Sequence, residues 1–180
     1  MCEQLTSTVL RIREPFEIGV WNISSHGETW TGLNIQDGLR CDWREIEWKD
    51  GMALPDIRFR DEDTADLRQD VMNWFLNRWP DRLSYVKYCI SLAHDIKFTE
   101  KQLPEGVQLP ESIGGYADFQ ALTDAKGLAG LKSIGGYANF RSLTDAKGLA
   151  GLKSIGGNTY FDSLTDAKGL AGSTNIVCGH

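Results

Sequence analysis

The last third of the chain repeats nearly the same sequence three times, at a period of 21 residues. Ser-Ile-Gly-Gly-Tyr begins at Ser112 and at Ser133, and Ser-Ile-Gly-Gly-Asn begins at Ser154. Each copy then runs through a phenylalanine into an identical Leu-Thr-Asp-Ala-Lys-Gly-Leu-Ala-Gly. A fixed period of this size is typical of arrays in which each unit covers the apolar face of its neighbour. We therefore expect a regular array with a long surface, which favours binding over catalysis.

Alternation within each copy separates inward from outward side chains. Four inner columns are expected to stack at the repeat period: Ile113/Ile134/Ile155, Ala117/Ala138/Thr159, Phe119/Phe140/Phe161 and Leu122/Leu143/Leu164. The outward positions differ between copies, and we interpret seven of them as a partner-binding face: Tyr116, Asp118, Tyr137, Asn139, Arg141, Tyr160 and Asp162. Tyr and Arg are enriched at interaction hot spots, although a solvated face that drifted would look the same.

The middle copy resembles a known class of repeat. Residues 133–144, Ser-Ile-Gly-Gly-Tyr-Ala-Asn-Phe-Arg-Ser-Leu-Thr, look like the Gly-Gly-x-Leu-x-Leu-x-Ser-Leu-Thr repeats of bacterial and phage leucine-rich-repeat-like β-solenoids. The resemblance covers residues 103–175, and Ala and Phe stand where those repeats have two leucines. It implies a β-solenoid fold and a binding role rather than a reaction.

The first 100 residues have the pattern of a separate α+β domain. Alternating and β-branched stretches predict strands over 7–13, 16–23, 29–35 and 39–48, arranged as a small antiparallel meander. Apolar stripes predict two helices, one over 65–78 capped by Asp63 or Thr64 and one over 82–95 capped by Asp81. The predicted fold class is thus an α+β domain of antiparallel strands plus two helices over 1–100, an irregular half-turn or linker over 101–111, and a short β-solenoid of three 21-residue repeats over 112–180.

One predicted strand carries a clear period of two. Over residues 39–48, Leu39, Cys41 and Trp43 fall on one side, and Arg40, Asp42 and Arg44 fall on the other. This pattern is typical of a half-buried strand. Trp43 and Trp48 cannot both face the core unless the strand contains a bulge, so one of them is a candidate contact residue.

Charge is distributed unevenly along the chain, whose formal net charge is −6. Residues 1–100 hold 18 acidic and 12 basic side chains, whereas residues 101–180 hold seven of each. The acidic half argues against direct nucleic-acid binding, because phosphate contacts need Lys and Arg, but it suits a basic protein surface. The run Asp61, Glu62 and Asp63 is the candidate patch. It lacks the ligand spacing of a calcium loop and precedes a predicted helix, where acids are favoured.

Sequence motifs for chemistry are absent. The chain has no phosphate-binding glycine loop, nucleophile elbow or zinc spacing, so we expect no catalytic residue, no metal and no cofactor. Cys178 and His180 are only two ligands at a terminus. Four scattered cysteines, no signal peptide and no run of 18 apolar residues indicate a protein of a bacterial cytoplasm, without a membrane partner.

These observations favour a non-enzymatic protein-binding factor. Small acidic proteins with near-identical repeats are typical products of phage and mobile-element genes. The most specific hypothesis is therefore an anti-CRISPR-like inhibitor of a bacterial defence complex. It would dock its acidic or repeat surface on a basic nucleic-acid-binding site. The alternatives are a DNA mimic that blocks a DNA-binding enzyme, and an enzyme whose site lies in residues 1–100 with the repeats as a substrate-binding wing. A fourth is an assembly factor that forms a homodimer through the end of the solenoid, residues 173–177.

Overall fold

The protein consists of two compact units, residues 1–93 and residues 94–180. The computed structural model describes residues 8–21, 26–49, 51–98 and 101–170. The cysteine and histidine near the C-terminus, and the solenoid end proposed for dimerisation, lie outside the described residues. The first unit extends to Ala93, and the segment that follows it already belongs to the second unit.

The first unit contains a four-stranded antiparallel sheet. Its strands are β1 (Thr8–Arg11), β2 (Glu17–Gly19), β3 (Trp43–Glu47) and β4 (Asp56–Ile57). They lie in the order β2-β1-β3-β4, so the first strand of the chain pairs with both the second and the third. The order therefore differs from the meander that the sequence predicts, because the connection that leaves β2 passes β1 and places β3 on the opposite side of β1.

Three α-helices complete the described part of this unit: α1 (His26–Gly32), α2 (Ala65–Arg78) and α3 (Arg82–Leu92). The two predicted helices are confirmed as α2 and α3, although α3 ends three residues earlier than expected. The hydroxyl of Thr64 accepts the amide of Leu67 at 3.2 Å, and the carboxylate of Asp81 accepts the amide of Ser84 at 2.8 Å. Side-chain caps of this kind satisfy amides that have no partner within the helix.

The predicted strand over 29–35 is wrong, because α1 occupies most of it. Its buried residues are His26, Thr29 and Trp30, which is the i, i+3, i+4 spacing of one helical face. The predicted strand over 39–48 is also too long. A 3-10 helix, Asp37–Asp42, takes its first half, and the strand begins at Trp43.

Aromatic side chains form the core of the first unit. Trp48, Phe75 and Tyr85 are fully buried, with ring centroids 4.8 to 6.0 Å apart. The hydroxyl of Tyr85 is hydrogen-bonded to that of Thr8 on β1, so the ring keeps a polar partner in the interior. Burial raises the pKa of Tyr85 well above its usual value and raises that of the neighbouring Cys89 thiol to about 12. Both groups are therefore neutral structural residues.

The second unit is built from two parallel sheets of two-residue strands. The strands are β5 (Ile96–Lys97), β6 (Ser112–Ile113), β7 (Ala117–Asp118), β8 (Ser133–Ile134), β9 (Ala138–Asn139), β10 (Ser154–Ile155) and β11 (Thr159–Tyr160). One sheet has the order β10-β8-β6, and the other has the order β11-β9-β7-β5. Within the repeats, every paired residue lies opposite its counterpart 21 positions away.

The inner columns confirm the register that the repeats predict. The Ile, Ala/Thr and Phe columns are buried in all three copies, and only Leu164, in the Leu column, is partly exposed. The ring of Phe140 lies 5.6 Å from that of Phe119 and 5.3 Å from that of Phe161, measured between centroids. The repeat array therefore has a continuous aromatic column in its interior.

Glycine permits the close approach of successive copies. A Cβ atom added to Gly135 would lie 2.0 Å from the carbonyl oxygen of Gly114, and one added to Gly156 would lie 2.0 Å from that of Gly135. Both neighbours are backbone atoms that cannot rotate away. The glycine pairs of the second and third copies are thus required by packing between copies.

The predicted fold class as a whole is wrong. The first unit has three described helices instead of two, and the second is organised as a three-stranded and a four-stranded parallel sheet instead of a β-solenoid of three repeats. Part of the reason is β5, which comes from the segment before the repeats and pairs with β7. Residues outside the repeat pattern therefore supply one edge of a sheet that the repeats alone would leave open.

Candidate functional site

The outward side chains of the four-stranded parallel sheet form the main candidate site, which we call the ladder face. Seven of its residues are those predicted from the sequence: Tyr116, Asp118, Tyr137, Asn139, Arg141, Tyr160 and Asp162. Lys97 on β5 joins them through an ion pair and was not foreseen, because β5 lies outside the repeats. Four of the eight residues lie on the in-register strands, and the other four lie one or two positions before or after them.

Two tyrosines stack at one end of the ladder face. The rings of Tyr116 and Tyr137 have centroids 5.0 Å apart and planes inclined by only 5°. Tyr116 is half-buried, and Tyr137 keeps 39% of its surface exposed. Because each ring lies one repeat from the other, the strand register holds the pair in place. Folding therefore already orders the two rings, and a partner that contacts them would not have to immobilise them.

The carboxylate of Asp118 is held by three neighbours. The Nδ2 of Asn139 donates to its Oδ1 at 2.9 Å, and the amide of Gln120 donates to the same oxygen at 3.3 Å. The Nζ of Lys97 lies 3.8 Å from its Oδ2. Asp118 and Asn139 are counterparts in successive copies, so replacing one carboxylate by an amide turns a repulsive column into a hydrogen-bonded one.

Arg141 connects the last two positions of the face. Its Nε lies 3.3 Å from Oδ2 of Asp162, and its guanidinium lies 5.3 Å from the centroid of the Tyr160 ring. Both contacts join neighbouring copies, and cation–π contact of this kind orients the guanidinium. Lys97 and Arg141 balance Asp118 and Asp162, so these residues give the ladder face no net charge.

A second set of identical columns borders the repeats. In every copy the Asp of the Asp-Ala-Lys segment accepts the amide two residues later, at 2.8 to 3.0 Å, which fixes the turn. The Nζ of Lys147 lies 2.9 Å from Asp145 and 4.0 Å from Asp166. The hydrogen bond from Lys147 lowers the pKa of Asp145, and the pKa of Lys147 rises correspondingly. These contacts give the Asp and Lys columns, which are identical in all three copies, a structural role.

The predicted acidic patch is divided by burial. Asp61 and Glu62 are exposed, with Glu62 3.7 Å from Arg60, but Asp63 is only 7% exposed. The Nε of Arg44 donates to Oδ2 of Asp63 at 2.6 Å, and a second guanidinium nitrogen binds the other oxygen. The hydrogen bond from Arg44 holds the pKa of Asp63 below its usual range, against the opposing effect of burial. Asp63 therefore supports the fold and leaves Asp61 and Glu62 as surface acids.

Sequence reasoning missed the buried guanidinium and an aromatic cleft. The side of β3 that carries Arg44 is the buried one, whereas Trp43 is only partly covered.

The aromatic cleft lies in the first unit between β2 and the end of α2, and the sequence signal that could have indicated it was the pair of tryptophans, Trp74 and Trp79. The predicted site residues themselves fall in two units: the acids belong to the first and the ladder face to the second.

Comparison with protein-family models, with curated proteins and with solved structures found no match to this chain. Within the described residues, no group of three or more His, Cys, Asp or Glu side chains has an arrangement that could hold a metal ion. Among the described helices, none combines the length and apolar character needed to span a bilayer.

Proposed function

We propose that this protein is a binding factor that recognises another protein through the ladder face. The observation that carries the proposal is the contrast between columns. The buried columns are the same or nearly the same in all three copies, while the outward positions change from Tyr to Asn, from Asp to Asn to Tyr, and from Gln to Arg to Asp. A face that varies on an invariant framework has the chemistry of a recognition surface.

The contacts within the face support the same role. Its tyrosines are stacked, and its charged groups are paired with one another before any partner arrives. A side chain that is already ordered loses little conformational entropy on association. Binding at such a face would rest on aromatic contact and hydrogen bonds, and we expect it to persist when salt is raised.

The narrower proposal concerns the partner. We propose a nucleic-acid-binding complex of a bacterial defence system, which the protein inhibits in the manner of anti-CRISPR proteins. The support is the charge of residues 1–100, which hold six more acidic than basic side chains. Exposed acids such as Asp61 and Glu62 would be attracted to the basic side chains that line a nucleic-acid-binding channel. This contribution would weaken as salt rises, because exposed charges are screened.

The test is co-purification from a bacterial cytosol, with the partner identified by mass spectrometry at low and at moderate salt. Tyr137→Ser combined with Arg141→Ala should abolish capture of the partner, while Lys126→Ser, an exposed change in the Asp-Ala-Lys column, should leave capture intact. Capture that ignores the ladder-face variant would overturn the binding surface. A captured partner with no nucleic-acid-binding activity would overturn the inhibitor proposal and leave the binding surface standing.

A further inference from the structure

The first unit contains an open aromatic cleft that the ladder face does not involve. It has a volume of about 440 Å³ and is lined by Phe16, Glu17, Ile18, Trp74, Arg78, Trp79 and Tyr88. A volume of this size is within the usual range of small-ligand sites. We call this site the aromatic cleft.

Four rings form a connected wall around the cleft. Phe16 meets Trp74 edge-to-face at 5.5 Å, and Trp74 meets Trp79 edge-to-face at 5.8 Å. Trp79 then contacts Tyr88 at 4.7 Å. Trp79 is buried, and the other three rings are partly exposed. All four rings line the same cleft, and the π-faces of aromatic rings attract cations.

A cation already occupies part of this wall. The guanidinium of Arg78 lies 4.5 Å from the centroid of the Trp74 ring. Arg78 is itself exposed and lies in the last turn of α2, so its long side chain can leave the ring without disturbing the core. The contact shows that the Trp74 face accepts an organic cation, and Arg78 acts as an internal stand-in for one.

One carboxylate stands at the cleft. Glu17 on β2 is exposed, and its pair with Arg11 is long, at 3.9 Å, so its charge is only weakly compensated. Desolvation is the largest cause of the raised pKa of the Tyr88 hydroxyl; among the smaller causes, the charge of Glu17 raises this pKa and that of Arg78 lowers it. The Tyr88 side chain is therefore a neutral phenol at physiological pH, and the two charges oppose one another.

We propose that the aromatic cleft binds a methylated ammonium group. An unmethylated ammonium carries three N–H donors and a guanidinium carries five, and these donors need acceptors when water is removed. The cleft is lined by four aromatic rings, and its charged or polar groups include the Glu17 carboxylate, the Tyr88 hydroxyl and the Arg78 guanidinium, of which only the first two can accept a hydrogen bond. A quaternary ammonium has no N–H donor, keeps its charge, and presents methyl groups to the rings.

The first experiment is a titration of the intact protein followed by the indole N–H resonances of the tryptophans. Choline is the cationic probe, and 3,3-dimethylbutan-1-ol is its uncharged counterpart of the same shape. Choline should shift the indole resonances of Trp74 and Trp79 saturably, and the uncharged alcohol should bind about tenfold more weakly. Equal binding of the two probes, or no shift with choline, would overturn the proposal.

Two variants test the assigned roles. Glu17→Gln should weaken choline binding severalfold without changing binding of the alcohol, because only the cation responds to the lost charge. Arg78→Gln should strengthen choline binding by about threefold, because it removes the competing guanidinium. Lys87→Gln is the matched control: it removes one exposed positive charge outside the cleft lining and should change nothing. Weaker choline binding by Arg78→Gln would contradict the stand-in role.

A third arm distinguishes the source of the cation. A short peptide containing trimethyl-lysine that binds more tightly than choline would assign the cleft to a protein side chain. Equal affinity for the two would assign it to a free small molecule. Neither result depends on the ladder face, so Tyr137→Ser with Arg141→Ala should leave choline binding unchanged.

Discussion

Arg44 is a charged side chain held inside the antiparallel sheet by a single acidic partner. It is 3% exposed, and both of its forked donors reach the carboxylate of Asp63. Its remaining nitrogen donates to the carbonyls of Cys41 and Trp43 at 2.7 and 2.9 Å. A buried charge with this many partners is tolerated, but the same charge without its carboxylate is costly.

Asp63→Asn should therefore lower the free energy of unfolding by about 3–5 kcal/mol, because it leaves the Arg44 guanidinium buried without an anion. Asp61→Asn, two residues away and exposed, should change it by less than about 0.5 kcal/mol. Urea denaturation of both variants measures the difference. Similar values for the two variants would show that the pair does not stabilise the fold.

The same pair predicts a pH dependence with a definite sign. The pKa of Asp63 lies below the ordinary value of 3.8, so folding favours its carboxylate form. Its stabilising contribution is complete above the unfolded pKa and disappears as the pH falls through the folded pKa. The stability gap between the parent protein and Asp63→Asn should be constant above about pH 5 and shrink steadily toward pH 2. A gap that does not change over that range would contradict the assignment.

At the scale of the element, the phenylalanine column is the main apolar support of the repeats. Phe140→Ala should cost about 3–5 kcal/mol, because the ring is fully buried between Phe119 and Phe161. Phe161→Ala should cost less, since that ring is 8% exposed and has one stacked neighbour among the described residues. Thermal unfolding of the two variants gives the order, and the reverse order would contradict the column as the source of stability.

The glycine pairs provide a second prediction at this scale. Gly135→Ala should lower the free energy of unfolding by about 1–3 kcal/mol, because the new methyl group would meet the backbone oxygen of Gly114 at 2.0 Å. Gly130→Ala is the control, because its nearest neighbour, the carbonyl oxygen of Leu109, lies 4.0 Å away. Equal melting temperatures for the two variants would show that the copies can separate at little cost.

The elements that sequence reasoning found are those with local signals. Thr64 and Asp81 mark the starts of α2 and α3 through their own neighbours, and the 21-residue period fixes the register of the repeats. The buried pair of Arg44 and Asp63 joins residues 19 positions apart, and no local pattern announces it. The helix α1 was missed because its buried face has only three members, including a histidine. Tertiary contacts, which no local pattern reveals, determine both the Arg44–Asp63 pair and the burial of α1.

At the scale of the whole molecule, the boundary between the units falls before the repeats begin. Ile96 is fully buried, and the strand to which it belongs pairs with Ala117 and Asp118. Phe98, in the same segment, is 1% exposed. The repeats therefore share a core with residues that the sequence assigns to the preceding domain.

A fragment of residues 94–180 should accordingly unfold cooperatively, whereas a fragment of residues 101–180 should not. The shorter fragment lacks β5, so it exposes the edge of β7 and loses two buried apolar side chains. Circular dichroism during thermal unfolding distinguishes the two. A cooperative transition of equal midpoint in both fragments would place the boundary at residue 100.

The strict 21-residue register has a consequence for how this gene can change. Removing residues 134–154 would join Ser133 to Ile155, which recreates the Ser-Ile-Gly-Gly sequence without a seam. The identical Leu-Thr-Asp-Ala-Lys-Gly-Leu-Ala-Gly segments give recombination matching points at the same spacing. Whole copies can thus be gained or lost, and each event alters the length of the recognition surface in one step while the inner columns keep their register.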